Sequence, residues 1–206
     1  MADLQLTVNL TGWRLFIRRR SDKGFEPFAK RIYERDHHTC QFCGFQAQEF
    51  QEIVNQDGNY LNNKANNLFT ACCFCTQCLF FQSSGMDDMS GGQIIYLPEF
   101  KQADLNSFCH VLFVAMGNTT EFQEGAQTVY RNLRFRSQII ENKLGASTSN
   151  PAVLGQLILE HQEAHPGVSF SGLMKDLRLL PSYTKFKIQL DTWAQAALKE
   201  LEGQEA

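Results

Sequence analysis

Polar and apolar positions alternate from the start of the chain. Leu4, Leu6, Val8 and Leu10 are separated by polar neighbours, a spacing that predicts a half-buried strand. After a turn at Gly12, Trp13, Leu15 and Ile17 predict a second strand. The period then changes. From Pro27 to Arg35, Phe28, Ile32 and Tyr33 recur on one helical face, with Pro27 suited to the first turn. Glu52 to Asn55 predicts a short strand, and Asp57-Gly58-Asn59 is turn chemistry in which Gly58 can take a positive φ. Asn62-Asn63 and Asn66-Asn67 extend this turn-rich stretch. Leu68 to Cys72 then leads into a helix whose apolar end is Leu79-Phe80-Phe81. The small-residue loop from Ser83 to Gly92 is the best boundary between two parts of the chain. Beyond it, Ile94 to Leu97 predicts a strand stopped by Pro98.

From Lys101 onward the period is helical, with Leu105, Phe108, Cys109, Leu112, Phe113 and Met116 on one face. Phe122 to Lys143 predicts a second helix closed by Gly145, and Asn150-Pro151 is the N-cap and first turn of a third. Two further helices are expected at Phe170 to Leu180 and Ser182 to Leu201, separated by Pro181, with Glu202 to Ala206 as a frayed tail. Cys109 reads as a small buried apolar residue, and His110 as a packed histidine rather than a ligand. The aromatics Phe170, Tyr183, Phe186 and Trp193 read as core rather than interface.

Composition narrows the class. The 206 residues are 43% hydrophobic and 20% charged, as in a globular protein, and the formal net charge of -3 supplies no general attraction to nucleic acid. Arg18-Arg19-Arg20 reads as a solvated edge. The N-terminal stretch has no continuous apolar segment of the signal-peptide kind, and no apolar run approaches the roughly 18–20 residues that span a bilayer. A cytosolic chain is therefore expected, and there thiols stay reduced.

That matters because six of the seven cysteines lie between Cys40 and Cys78. Cys40-Gln-Phe-Cys43-Gly44 is one C-x-x-C knuckle, and Cys72-Cys73-Phe74-Cys75-Thr76-Gln77-Cys78 holds the other. Two such knuckles in a reducing compartment point to a structural zinc ion in a closed tetrahedral thiolate shell. Cys40 and Cys43 form the first pair. Spacing leaves the second pair open, since Cys72 with Cys75 and Cys75 with Cys78 both fit.

The run from Val54 to Cys75, with Asp57-Gly58-Asn59, Asn62-Asn63 and Asn67-Leu68 ahead of the second knuckle, resembles the HNH nuclease motif. The resemblance implies an α+β fold: an HNH-like ββα zinc module in the N-terminal half (1–84), followed by a mainly helical region (93–206) packed on it, either as a second domain or as part of one continuous domain. It also implies that Cys72 and Cys75 join Cys40 and Cys43 around one zinc, leaving Cys73 and Cys78 as spare thiols. Three departures bear on function. Asn55 stands where the family carries its catalytic histidine, Val54 where it carries a metal-binding His or Asp, and Thr76 where a His or Asn follows the second knuckle. Asparagine takes no proton at neutral pH, and valine binds no cation, so neither the base nor the metal of such a nuclease is expected. His37 and His38 precede the first knuckle and lie off the catalytic hairpin.

Over nearly the whole chain, Gly91 to Glu99, Cys109 to Phe113, Phe135 to Glu141, Arg178 to Ser182 and the Cys40 to Ala47 knuckle are similar to the IcmJ (DotN) family of the Dot/Icm type IVB secretion system. That resemblance implies a non-enzymatic adaptor in the coupling complex. Its implied partners are the C-terminal region of the coupling ATPase DotL, with DotM, IcmS and IcmW in the same assembly and no nucleic acid. It also implies a cytoplasmic protein held at the bacterial inner membrane through those partners. The alternatives are a metal-dependent HNH-type nuclease or a nucleic-acid-binding protein.

Overall fold

A computed structural model describes residues 2–87 and 90–204. The expected tail at Glu202 to Ala206 lies partly outside the described residues, and Glu202 to Gln204 belong to the last helix. The described residues combine helices with two small antiparallel sheets, and a buried cysteine cluster sits beside the first of them.

The N-terminal segment corrects the first expectation. Leu4 and Leu6 are buried between exposed neighbours, as their alternation requires, but the segment joins neither sheet. It lies extended across the cysteine region, where Thr7 donates its N–H to the Cys78 carbonyl at 2.9 Å. The second expected strand is a helix, α1 (Leu10–Arg20). Asn9 starts it: its side chain accepts the Gly12 N–H at 2.7 Å, a side-chain cap that supplies a partner to an otherwise orphaned donor. Phe16 and Arg19, three residues apart, are the buried face.

Helix α2 (Glu26–Arg35) forms as expected and buries Ile32 against Ile53 and Leu68. Strands β1 (Gln51–Asn55) and β2 (Leu68–Cys72) pair antiparallel, with Gln51 opposite Cys72 and Asn55 opposite Leu68. Leu68 to Cys72 is thus a strand and not the start of a helix. The helical turn, α3 (Cys73–Thr76), begins one residue after it and continues into a 3-10 segment through Ser83.

Beyond residue 90, β3 (Gly92–Tyr96) carries the fully buried Ile94 and Ile95. Its partner is β4 (Leu177–Pro181), where the sequence pattern predicts a helix from Phe170 to Leu180. Only Ser171–Met174 is helical there (α8). The strand wins because both of its edges find partners. β3 takes one, and on the other the Gln102 side chain donates to the Leu179 carbonyl at 2.9 Å and accepts its N–H at 2.8 Å. Helix α4 (Gln102–Gly117) buries Leu105, Cys109, Leu112, Phe113 and Met116. The expected single helix from Phe122 to Lys143 is two, α5 (Gln123–Phe135) and α6 (Ser137–Leu144), and Gly145 closes the second at φ +109. Helix α7 (Pro151–Ala164) starts as predicted, Asn150 accepting the Ala152 N–H at 2.9 Å. Helix α9 (Lys187–Gln204) is the last.

One hydrophobic cluster runs across the loop between residues 83 and 92, joining Phe16, Phe74 and Phe80 to Phe113, Phe186 and Trp193. Phe186 and Trp193 are therefore core, as their pattern indicates. Helix α7 approaches the 77–83 segment so closely that a Cβ on Gly155 would stand 2.5 Å from the Gln82 Cα, which reserves that position for glycine.

Candidate functional site

The β1–β2 hairpin carries polar structure at both ends. At one end the knuckles meet. Gly44 adopts φ +77, and its N–H closes a turn on the Cys40 carbonyl at 2.9 Å, bending the chain so that Cys40 and Cys43 face the same way. Strand β2 and the first turn of α3 bring Cys72 and Cys75 against them. The sulfurs of Cys40, Cys43, Cys72 and Cys75 all lie within 4.8 Å of one another, and all four residues are buried. Cys43 Sγ and Cys72 Sγ are 3.6 Å apart, far beyond a disulfide bond. Tetrahedral coordination with metal–sulfur bonds of about 2.3 Å separates ligand sulfurs by about 3.8 Å, so the spacing suits a single ion. The four residues could hold one.

The electrostatics agree with that donor set. Burial pushes the Cys72 and Cys75 thiols well above their ordinary range, and contact with the other thiols holds them there. Burial opposes ionisation of Cys40 as well, but hydrogen bonds from Cys43, Cys72 and Cys75 outweigh it and hold Cys40 low. Cys72 and Cys75 by themselves keep their protons, and four anionic sulfurs in so dry a space would need a cation among them. Cys78 stands apart. Its thiol donates to the Phe74 carbonyl at 3.2 Å, and burial pushes it up to about 12. Cys73 and Cys109 are likewise buried and raised by burial.

Asn106 escapes sequence reasoning. It is fully buried on α4 and donates to the Phe74 carbonyl at 3.1 Å and to Cys75 Sγ at 3.2 Å, with Cys78 Sγ at 3.8 Å. A hydrogen bond to a ligand sulfur orients it and stabilises its anionic form. Asn106 also fastens the helical part of the chain to the cysteine cluster. The available signal was a lone amide on the apolar stripe of α4.

At the other end of the hairpin lies the 56–67 loop. Asn55 is buried, and each polar atom of its side chain is engaged: the carbonyl accepts from Arg19 at 2.6 Å, and the amide donates to the carbonyls of Asn59 at 3.0 Å and Asn62 at 2.8 Å. Arg19 also donates to Asn63 at 2.8 Å and to the Ile53 carbonyl, and lies over the rings of Phe25 and Tyr60. The reading of the arginine run as a solvated edge is thereby corrected for Arg19. It fails because that residue falls three positions after Phe16 on the inward face of α1. Asp57 receives the Asn62 amide at 2.7 Å and the Asn67 amide at 2.9 Å, hydrogen bonds that hold its carboxyl below the usual range. Val54 is buried in β1 and Thr76 in α3. His37 is exposed and His38 stacks on Tyr33, and neither is among the partners of Asn55.

His110 is packed, as the sequence indicates, though in an unusual setting. Its ring lies between Phe45 at 3.6 Å and Phe74 at 4.3 Å, and among the described residues neither ring nitrogen has a hydrogen-bond partner. Burial lowers its pKa to about 3 against the opposing charge of Cys40.

No protein-family model matches the chain. Among curated proteins it is 48% identical over 199 residues to the Type 4 apparatus protein DotN of Legionella pneumophila, covering 97% of this chain and 92% of that protein. Among the described residues no helix is long and apolar enough to cross a membrane.

Proposed function

The chain belongs to the DotN (IcmJ) family of Dot/Icm type IV secretion apparatus proteins, and from that premise we propose that it is a non-catalytic adaptor of the coupling complex. In this reading it binds the C-terminal region of the coupling ATPase DotL, takes its place with DotM, IcmS and IcmW, and supports effector recruitment at the cytoplasmic face of the inner membrane. Cys40, Cys43, Cys72 and Cys75 hold one zinc ion. The bound ion supplies a cross-link between the two knuckles and leaves no coordination position open for a substrate. The hairpin and α3 form an HNH-like ββα module whose chemistry has been replaced by structure; it lies in the zinc-binding part, 1–84, on which the mainly helical part, 93–206, packs.

One observation carries the non-catalytic reading. The position that would hold the general base is Asn55, and its side chain is spent on Arg19, Asn59 and Asn62. A base must have a free lone pair within reach of the proton that it abstracts. Here the acceptor atom already holds a guanidinium, and Val54 adds no ligand for a cation. The alternatives of a nuclease and of a nucleic-acid binder draw no support from this geometry.

Two measurements test the proposal. Co-expression with the DotL C-terminal region should yield a complex that survives size exclusion, and failure of the two purified proteins to associate would overturn the adaptor reading. Plasmid DNA incubated with the protein and magnesium or manganese should remain intact. Cleavage that disappears on Asp57→Ala or His38→Ala would overturn the non-catalytic reading.

A further inference from the structure

The extended N-terminal segment is pinned at both ends and open along one edge. Ala2 donates its N–H to the Gln41 carbonyl at 2.9 Å, and Asn9 donates its own to the Gln82 side chain at 3.3 Å. Between them Thr7 bonds on one side, giving its N–H to the Cys78 carbonyl and taking the Phe81 N–H. In an extended chain successive residues turn their N–H and C=O groups to opposite edges. Leu6 and Val8 flank Thr7, so theirs turn away from the 78–81 segment. Among the described residues, no N–H or C=O of Leu4, Leu6 or Val8 makes a hydrogen bond. The buried Leu4 and Leu6 side chains hold this edge in place. A strand with an open edge is a template for a further strand, and a peptide added there gains main-chain hydrogen bonds.

The surroundings of this edge say what would be added to it. Residues 3–8 line a groove of about 700 Å³. Part of its lining is apolar, with Phe81, Ile158 and Leu177 buried and Phe170 and Met174 half-buried. Lys101 and Lys175 also line it, both exposed and neither in an ion pair among the described residues. Arg178 is already engaged, since its guanidinium donates to the carbonyls of Phe100, Lys175 and Leu177. Asp3 is the one acidic residue among the described residues of the lining, and it accepts the Gln5 amide at 2.8 Å. The groove therefore favours an acidic occupant. An added strand turns alternate side chains to opposite sides, so one set can pack on the apolar lining while the other stays beside the lysines. A helix fits less well, because it satisfies its own backbone and leaves that of Leu6 and Val8 unmet. A second copy of the chain would add its own Lys101 and Lys175 to the first pair, and like charges repel.

We propose that the open edge of residues 4–8 accepts an extended segment of another protein subunit, paired to it as a β-strand, in which apolar residues alternate with acidic ones. At about 3.3 Å per residue the contact is about 16 Å long. The inference rests on the adaptor reading, because it presupposes a partner in the apparatus. It adds the edge that is used and the kind of segment that is recognised.

The test uses the full chain in cells that assemble the apparatus, with a photo-crosslinking amino acid in place of the exposed Gln5 and a control at Leu61, which is 75% exposed on the 56–67 loop. Mass spectrometry should map the position-5 product to a segment of another subunit in which apolar and acidic residues alternate, with no such product from position 61. A product with a second copy of the chain, with lipid or with a segment lacking that alternation would overturn the proposal, as would no product at all. Two variants separate charge from backbone. K101E/K175E should lower the yield at least tenfold without changing the melting temperature of the isolated chain. Val8→Pro removes an N–H that bonds to nothing within the chain, and should lower the yield about tenfold. An unchanged yield in K101E/K175E, or in a Val8→Pro variant that melts like the wild type, would overturn the proposal; if Val8→Pro melts early, K101E/K175E decides alone. If the wild-type chain joins the apparatus and K101E/K175E cross-links equally well, only the edge assignment falls; if the wild type joins no other subunit, the adaptor reading falls with it.

Discussion

The cysteine cluster and the asparagine loop occupy opposite ends of β1 and β2, and their polar groups are left in opposite conditions. At the cysteine end, four sulfurs converge within 4.8 Å in a buried space, where their ionised forms need a cation. At the loop end, Asn55, Asp57, Asn62 and Asn67 bond to one another and to the backbone, and Arg19 completes the set. The first arrangement could hold an ion, and in the second the buried asparagines are satisfied within the chain. The side chains of Asn55 and Asn67 are spent within the chain. One hairpin of five residue pairs thus separates four cysteines that could hold a metal ion from a loop whose asparagines bond within the chain.

The largest effect that separates the two ends should come from the cysteines. Cys40→Ser or Cys75→Ser removes a ligand from a site of a kind that supplies on the order of 10 kcal/mol to folding in small zinc modules. Insoluble protein or a collapsed melting transition is expected, and strong chelators should reproduce it in the wild type. A folded, metal-free Cys40→Ser/Cys75→Ser double variant would break the distinction between the ends. At the loop end the loss should be smaller and should leave metal content unchanged. Arg19→Ala strips the partners from buried Asn55 and the Ile53 carbonyl, and chemical denaturation should show a loss of about 4 kcal/mol with a full zinc complement.

How much of this was legible follows the same division. Spacing exposed the first knuckle, because C-x-x-C followed by a glycine is local chemistry. Spacing left the second knuckle open and only the resemblance to the HNH motif implied Cys72 and Cys75; β2 and α3 bring these two to Cys40 and Cys43, while Cys78 turns its proton to the Phe74 carbonyl. Helix α2, strand β1 and the caps at Asn150 and Gly145 were legible for the same local reason. The N-terminal pattern misled because Trp13, Leu15 and Ile17 alternate, while the buried Phe16 and Arg19 between and beyond them follow the helical period. β4 was illegible because its stability comes from β3 and from Gln102, 77 residues away. Arg19 and Asn106 share that difficulty, since each is polar, buried and justified only by partners distant in sequence.

A third and smaller effect sharpens the comparison through pH. Glu52 sits in β1 between the two ends, buried, with Arg20 at 3.1 Å. Burial raises its carboxyl from an ordinary 4.5 to about 7, although Arg20 pulls the other way. The folded chain therefore keeps a proton that the unfolded chain has released, and stability falls as pH rises from 4.5 to about 7. The fall should amount to about 3 kcal/mol. Glu52→Gln should remove it, so subtracting the two stability–pH curves isolates Glu52 from any loss of metal at low pH. Parallel curves would show that Glu52 does not titrate in this window.

The most direct test of the contrast is native mass spectrometry of the purified chain, with zinc supplied during expression and excess manganese added afterwards. The account predicts a single species, the chain plus one zinc, with nothing bound at the Asp57 loop. A folded chain without metal, or one that gains manganese in a manner abolished by Asp57→Ala, would contradict it.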